Sequence, residues 1–137
     1  MRDIERIVIH HTAGGREETL ESIRHRHVDE LGWSDIGYHY LIEKDGVKRY
    51  GRPEWRIGAH VRGKNRTSIG VAVMGYYEEE EFGVFSPQSA GLIFVLTDLV
   101  RRHPEAKVVT HRELANTLCP GKHVQAWVDR WREYRSG

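Results

Sequence analysis

An α/β fold, a central mixed β-sheet flanked by helices, is predicted by three features of this 137-residue chain. Two apolar runs, Ile4 to His10 and Ser68 to Gly75, have the length and the Ile/Val content of buried strands. An Asp45-Gly46 pair separates two short strand-like segments. Two later segments carry apolar residues at helical spacing. Residues 1–137 read as a single domain, long enough to bury a core without disulfides.

Taken in order, the first strand ends in Thr12-Ala13-Gly14-Gly15, a tight loop, so His10 and His11 stand at its C-terminal end. From Glu17 to Leu31 the positions Leu20, Ile23, His27 and Leu31 recur at helical spacing within an otherwise charged run. A surface helix with one narrow buried face is expected, with Glu17 and Glu18 in its first turn. Tyr38 to Glu43 and Val47 to Tyr50 form a hairpin, because Asp-Gly supplies the positive φ angles that a two-residue turn needs. Arg52 to Arg66, charged and containing Trp55 and His60, reads as a long surface loop of the kind that carries function. Ser68 to Gly75 then returns to a buried strand. Ser86-Pro87 is a favourable N-cap and first-turn pair for a helix running to about His103, where Pro104 ends it. Leu92, Val95, Leu96, Leu99 and Val100 form its apolar stripe, which Ile93 and Phe94 are expected to widen. Lys107 to Thr110 is a short strand delivering His111, and Val124, Trp127, Val128 and Trp131 mark a closing amphipathic helix.

Hydrophobic residues make up 39% of the chain and charged residues 30%, which fits a soluble globular protein rather than a disordered one. With 21 Lys plus Arg against 20 Asp plus Glu, the net charge of +1 gives no global electrostatic case for binding nucleic acid. Arg130, Arg132 and Arg135 read as a solvated helix face. No run approaches the ~18 apolar residues of a membrane span, so no stable membrane insertion is expected. Met1 to Arg6 is charged and leads straight into a strand, without the apolar stretch of a signal peptide. A monomer is expected.

A single cysteine excludes an internal disulfide and leaves Cys119 as a buried thiol, a nucleophile or a metal ligand. His10 follows the first strand, His111 the last, and Cys119 lies in the loop beyond. Two imidazoles and a thiolate suit Zn²⁺, and three protein ligands leave a fourth position for solvent. With nine histidines in the chain, composition alone does not single out these two. A nucleophilic Cys119 is the poorer reading, because Pro120-Gly121 follows it where a helix start would be needed to lower its pKa.

The segments around these residues carry more information. They are Ile7 to Gly14 (IVIHHTAG), Trp33 to Tyr40 (WSDIGYHY), Gly58-Ala59-His60, Asn65, Ser68 to Gly75 (SIGVAVMG), His111-Arg112-Glu113 and Cys119-Pro120-Gly121. In this order, and over nearly the whole chain, the sequence resembles the type 2 N-acetylmuramoyl-L-alanine amidase family, which includes phage endolysins and peptidoglycan recognition proteins. The resemblance implies a zinc site at the strand ends, held by His10, His111 and Cys119. Neighbours on a strand point to opposite faces, so only one of His10 and His11 is expected to bind, with His11 as the alternative. The resemblance also places the Tyr38 hydroxyl at the site, as a donor to zinc-bound water or to the developing oxyanion. Thr117 falls where relatives carry lysine or threonine; a threonine hydroxyl only hydrogen-bonds, which leaves the general base open among His39, His60 and Glu113. Arg62, Lys64, Asn65 and Arg66 are expected to line a groove for the sugar and the acidic peptide stem, with His39 and His60 as further substrate contacts. The implied partner is bacterial peptidoglycan, cut at the bond between the lactyl group and L-alanine. The implied setting is phage-type lysis, with the protein reaching the wall when a separate membrane pore opens. The alternative from another class is a wall-binding module without catalysis, as in relatives that lose the cysteine.

Overall fold

Five strands, β1 (Arg6–His11), β2 (Tyr40–Ile42), β3 (Lys48–Tyr50), β4 (Ser68–Val73) and β5 (Lys107–Thr110), join in one sheet in the order β3-β2-β4-β1-β5. The structure is a computed structural model and describes residues 2–136. β1 runs parallel to both β4 and β5, β2 runs parallel to β4, and only the β2-β3 hairpin is antiparallel. The central strands of a parallel sheet are covered on both faces and have no polar side. Accordingly all six residues of β4 and the last five of β1 are buried.

Three helices, α1 (Leu20–Arg24), α2 (Pro87–Arg102) and α3 (Lys122–Ser136), complete the layers. Leu92, Val95, Leu96 and Leu99 of α2 and Val124, Trp127 and Val128 of α3 share one core cluster with Ile7, Ile9, Ile69, Val71 and Val73. A smaller cluster of Ile23, Ile36, Leu41, Ala72 and Met74, joined by Leu20 and Tyr38, lies on the other face. Alternation along β1 therefore turns Ile7 and Ile9 toward α2 and α3, and turns His10 to the second face with its strand partner Ala72. Leu96 is fully buried in the larger cluster. Leu96→Ala is expected to lower the unfolding free energy by about 2–5 kcal/mol in urea titration; a loss below about 1 kcal/mol would contradict this packing.

The sequence misplaced three local features. The first helix begins later than expected, at an N-cap formed by Thr19: its Oγ1 accepts from the Ser22 N–H at 3.0 Å, and Ser22 Oγ accepts from the Thr19 N–H at 2.9 Å. Glu18 thus precedes the helix, and its side chain accepts a hydrogen bond from the Thr12 hydroxyl. Beyond Arg24 the backbone widens to i→i+5 bonding through His25–Glu30, with the Leu31 N–H reaching Arg26 O at 3.0 Å. The wider turn rotates Leu31 away from the core and leaves it 54% exposed, while Ile23 and His27 stay buried.

The other two corrections concern the hairpin and α2. The Glu43 N–H bonds Val47 O at 2.9 Å and the Gly46 N–H bonds Glu43 O at 2.9 Å, which encloses Lys44, Asp45 and Gly46 in a three-residue loop. Gly46 supplies its left-handed position at φ +89°. Ile93 and Phe94 do not widen the α2 stripe; they lie roughly 100° and 200° around the helix from Leu92 and are 40% and 69% exposed.

Candidate metal centre

Strand register alone brings two histidines together. β1 and β5 are parallel neighbours with Ile9 opposite Thr110, so the next residue on each, His10 and His111, emerges at the C-terminal edge of the sheet. Their ring centroids are 4.7 Å apart. This edge is where open α/β sheets place ligands. The loop after His111 brings in Cys119, whose Sγ lies 3.6 Å from His10 Nδ1. One potential ligand atom from each of His10, His111 and Cys119 falls within 4.8 Å of the other two.

Local bonding fixes the two chain segments that supply His111 and Cys119. Glu113 closes a capping box on Thr110 and is gripped by Arg132 of α3 at 2.7 and 2.8 Å, which anchors the turn carrying His111. Gly121 takes φ +87° and packs so closely that an added Cβ would sit 2.2 Å from the carbonyl carbon of Tyr77. The Thr117 hydroxyl accepts from the Cys119 N–H at 3.3 Å. His11 is turned the other way: its Nδ1 accepts from the Tyr77 N–H at 3.0 Å and its ring stacks on Tyr76. The geometry therefore groups His10 with His111 and Cys119 and leaves His11 outside the cluster.

The cluster opens on a cleft of about 540 Å³ whose lining includes Tyr38, Thr117, His27, Trp33, His60 and Tyr76. The family model for N-acetylmuramoyl-L-alanine amidase matches residues 1–122. The chain belongs to this amidase family. It is similar to the endolysin of Enterobacteria phage K11, at 34% identity over 120 residues covering 85% of this chain and 79% of the relative. Peptidoglycan-recognition protein SC1a of Drosophila melanogaster is also 34% identical, covering 93% of this chain and 73% of its own. Among solved structures, the N-acetylmuramoyl-L-alanine amidase LysC of Clostridium intestinale superposes with a TM-score of 0.83 at 31% identity, over 96% of this chain and 87% of that one.

Burial leaves the donor groups of this amidase-family site uncharged. Burial, and then the neighbouring histidines, hold His10 well below its usual pKa, and burial lowers His111 as well, so both offer neutral lone pairs. Burial pushes the Cys119 thiol up to about 12, so a thiolate forms there only beside a positive charge. Two imidazoles and one sulfur form a borderline-soft donor set that fits zinc better than calcium or magnesium. Tyr38 lies with its ring 5.2 Å from that of His10. Burial, followed by the nearby Cys119, raises its phenol pKa, so Tyr38 stays a hydrogen-bond donor at neutral pH.

The remaining residues singled out from sequence occupy different places. His60 lines the cleft, with Nδ1 2.9 Å from His10 Nε2. Asn65 is turned into its own loop, its Oδ1 accepting from the His60 and Val61 N–H groups at 2.9 and 2.8 Å. Arg62 is exposed on that loop. Glu113 is committed to Arg132, Gln125 and the Thr110 N–H, chiefly Arg132, which together hold it down to about 2. His39 is only 1% exposed, and lies beneath the site rather than in it. His27 and Trp33 are wall residues that helical periodicity did not identify as such; their rings pack at 4.7 Å, and His27 Nδ1 accepts from the Gly37 N–H at 3.0 Å.

His39 also sets a pH dependence. Its Nδ1 accepts from the Gly70 N–H at 3.0 Å, and its Nε2 donates to Arg56 O at 2.8 Å, so a second proton would break the Gly70 bond. Burial lowers its pKa from 6.5 to about 4. Between those values the unfolded chain binds a proton that the folded chain refuses. The stability it confers is therefore complete above pH 6.5 and is lost as pH falls to about 4, on the order of 3 kcal/mol. Glu113, lowered from 4.5 to about 2, acts in the next window: its contribution is present above pH 4.5 and lost toward pH 2. Urea midpoints of the metal-free protein are expected to fall steadily below pH 6.5. A flat profile from pH 7 to 4 would contradict this.

Proposed function

We propose that the protein is a zinc-dependent N-acetylmuramoyl-L-alanine amidase that hydrolyses the amide between the lactyl group of muramic acid and the L-alanine of the peptide stem in bacterial peptidoglycan. The observation that carries this reading is the convergence of His10, His111 and Cys119 in the wall of an open cleft. Family membership and the similarity to phage endolysins support it. His10, His111 and Cys119 would hold zinc, which would supply Lewis acidity and make solvent in the cleft more acidic.

The chain's own groups do the rest. Attack of water on the lactyl carbonyl breaks the C–N bond after one proton reaches the leaving amine, giving a glycan carboxylate and a peptide that begins with L-alanine. Tyr38, kept protonated by burial, donates a hydrogen bond to the oxyanion that grows on the carbonyl oxygen. Thr117 accepts from the Cys119 N–H, and its own hydroxyl proton serves as the second donor into the cleft. Trp33 and Tyr76 give the cleft aromatic walls. Arg62 is exposed on the 52–66 loop outside the cleft lining, and in this reading its charge attracts an acidic stem peptide. No helix among the described residues is long and apolar enough to cross a membrane. In this reading the protein works as a monomeric, phage-type endolysin that reaches the wall through a separate pore.

Mass spectrometry of purified peptidoglycan after digestion, with zinc content measured on the same sample, tests the proposal. New peptides with an amino-terminal L-alanine and about one zinc per chain are expected. Wall binding without new termini would make the protein a recognition module instead, and new reducing sugar ends would make it a glycosidase.

A further inference from the structure

We infer that His60 is a positioning residue that fixes the tautomer of His10, accepting the Nε2 proton of His10 so that its Nδ1 lone pair faces Cys119. The inference rests on the proposed zinc site and adds a function for the Gly58 to Gly70 region. His10 presents its two ring nitrogens to different partners: Nδ1 lies 3.6 Å from Cys119 Sγ and Nε2 lies 2.9 Å from His60 Nδ1. Two neutral imidazoles at that separation share one proton between the facing nitrogens, one donating and the other accepting. A His10 that offers Nδ1 to a metal must carry its proton on Nε2, so His60 must accept through Nδ1. His60 then carries its own proton on Nε2, a buried atom that finds no hydrogen-bond partner among the described residues.

The surroundings hold His60 to this task. Asn65 Oδ1 takes its backbone N–H at 2.9 Å. The ring lies against the middle of β4 at Gly70, where an added Cβ would come within 2.7 Å of it. A Cβ at Gly58 would meet the rings of both His60 and His39, at 2.8 and 2.9 Å. His39, pinned by Gly70 and Arg56, backs the His60 ring edge-on at 5.7 Å. The two glycines, Asn65 and His39 thus confine the His60 ring and its backbone, and Nδ1 is the ring atom that meets His10.

Two measurements test this. In His60→Leu, zinc affinity measured by chelator competition at neutral pH is expected to fall 10- to 100-fold. In zinc-saturated protein its KM for a soluble muropeptide should stay within about twofold of wild type, and His60→Gln, whose side-chain oxygen can accept the same proton, should recover most of the affinity. Unchanged zinc affinity in His60→Leu, or a raised KM with normal affinity, would overturn the inference and make His60 a substrate contact. Because a variant can fail to fold, long-range ¹H–¹⁵N correlation spectra of zinc-loaded wild-type protein give an independent reading. Protons on Nε2 of both His10 and His60 support the assignment, and a proton on His60 Nδ1 overturns it. Cys119→Ala is the control: if it binds zinc as tightly as wild type, the zinc site itself is wrong and the His60 assignment falls with it.

Discussion

Cys119→Ser is expected to bind zinc at least roughly a hundredfold more weakly than wild type and to lose lytic activity on purified cell walls. Serine keeps the shape of the side chain but replaces a sulfur donor with a hydroxyl that stays protonated near neutral pH and coordinates a borderline-soft ion poorly. The fold should survive, because Cys119 contributes few packing atoms and its loop is fixed by Gly121 against Tyr77 and by the Thr117 hydroxyl. Urea midpoints of the two metal-free proteins should therefore agree within about 1 kcal/mol. Chelator competition, turbidity loss and unfolding on the same preparations separate loss of metal from loss of structure. A serine variant that retained zinc and lysis would contradict the assigned ligand set.

Tyr38→Phe is expected to lower kcat by about 10²–10³-fold while leaving zinc affinity unchanged and KM within a few-fold. The ring itself is structural: it packs with the smaller core cluster and against His10 and His27, at 5.2 and 5.8 Å, and phenylalanine keeps those contacts. Only the hydroxyl, a donor kept protonated by burial, is removed. Such a donor acts on charge that develops in the transition state, so its loss should show in kcat rather than in KM. A variant that lost affinity for zinc or substrate instead would make Tyr38 a binding residue.

The strands that carry this site are legible in the sequence. β1 and β4 are buried on both faces, so they read as continuous Ile/Val runs, and their ends mark where His10 stands. Ser86 caps α2 as its sequence suggests, accepting from the Ser89 N–H at 3.1 Å. The wide helical turn at His25–Glu30 was not legible, because it leaves no change in side-chain period and only displaces Leu31 outward. The structure also placed Asn65 and His39 apart from the cleft: their roles depend on backbone partners and on empty space at Gly70 and Gly58, which one-dimensional spacing does not encode. The contact between His10 and His60 joins residues 50 positions apart and exists only because the loop folds back over β4.

Zinc K-edge absorption on protein loaded with one equivalent of metal addresses the coordination most directly. One sulfur at about 2.3 Å, two imidazole nitrogens at about 2.0–2.1 Å and one further light atom are expected. A first shell without sulfur, or with a third imidazole in its place, would contradict coordination by His10, His111 and Cys119.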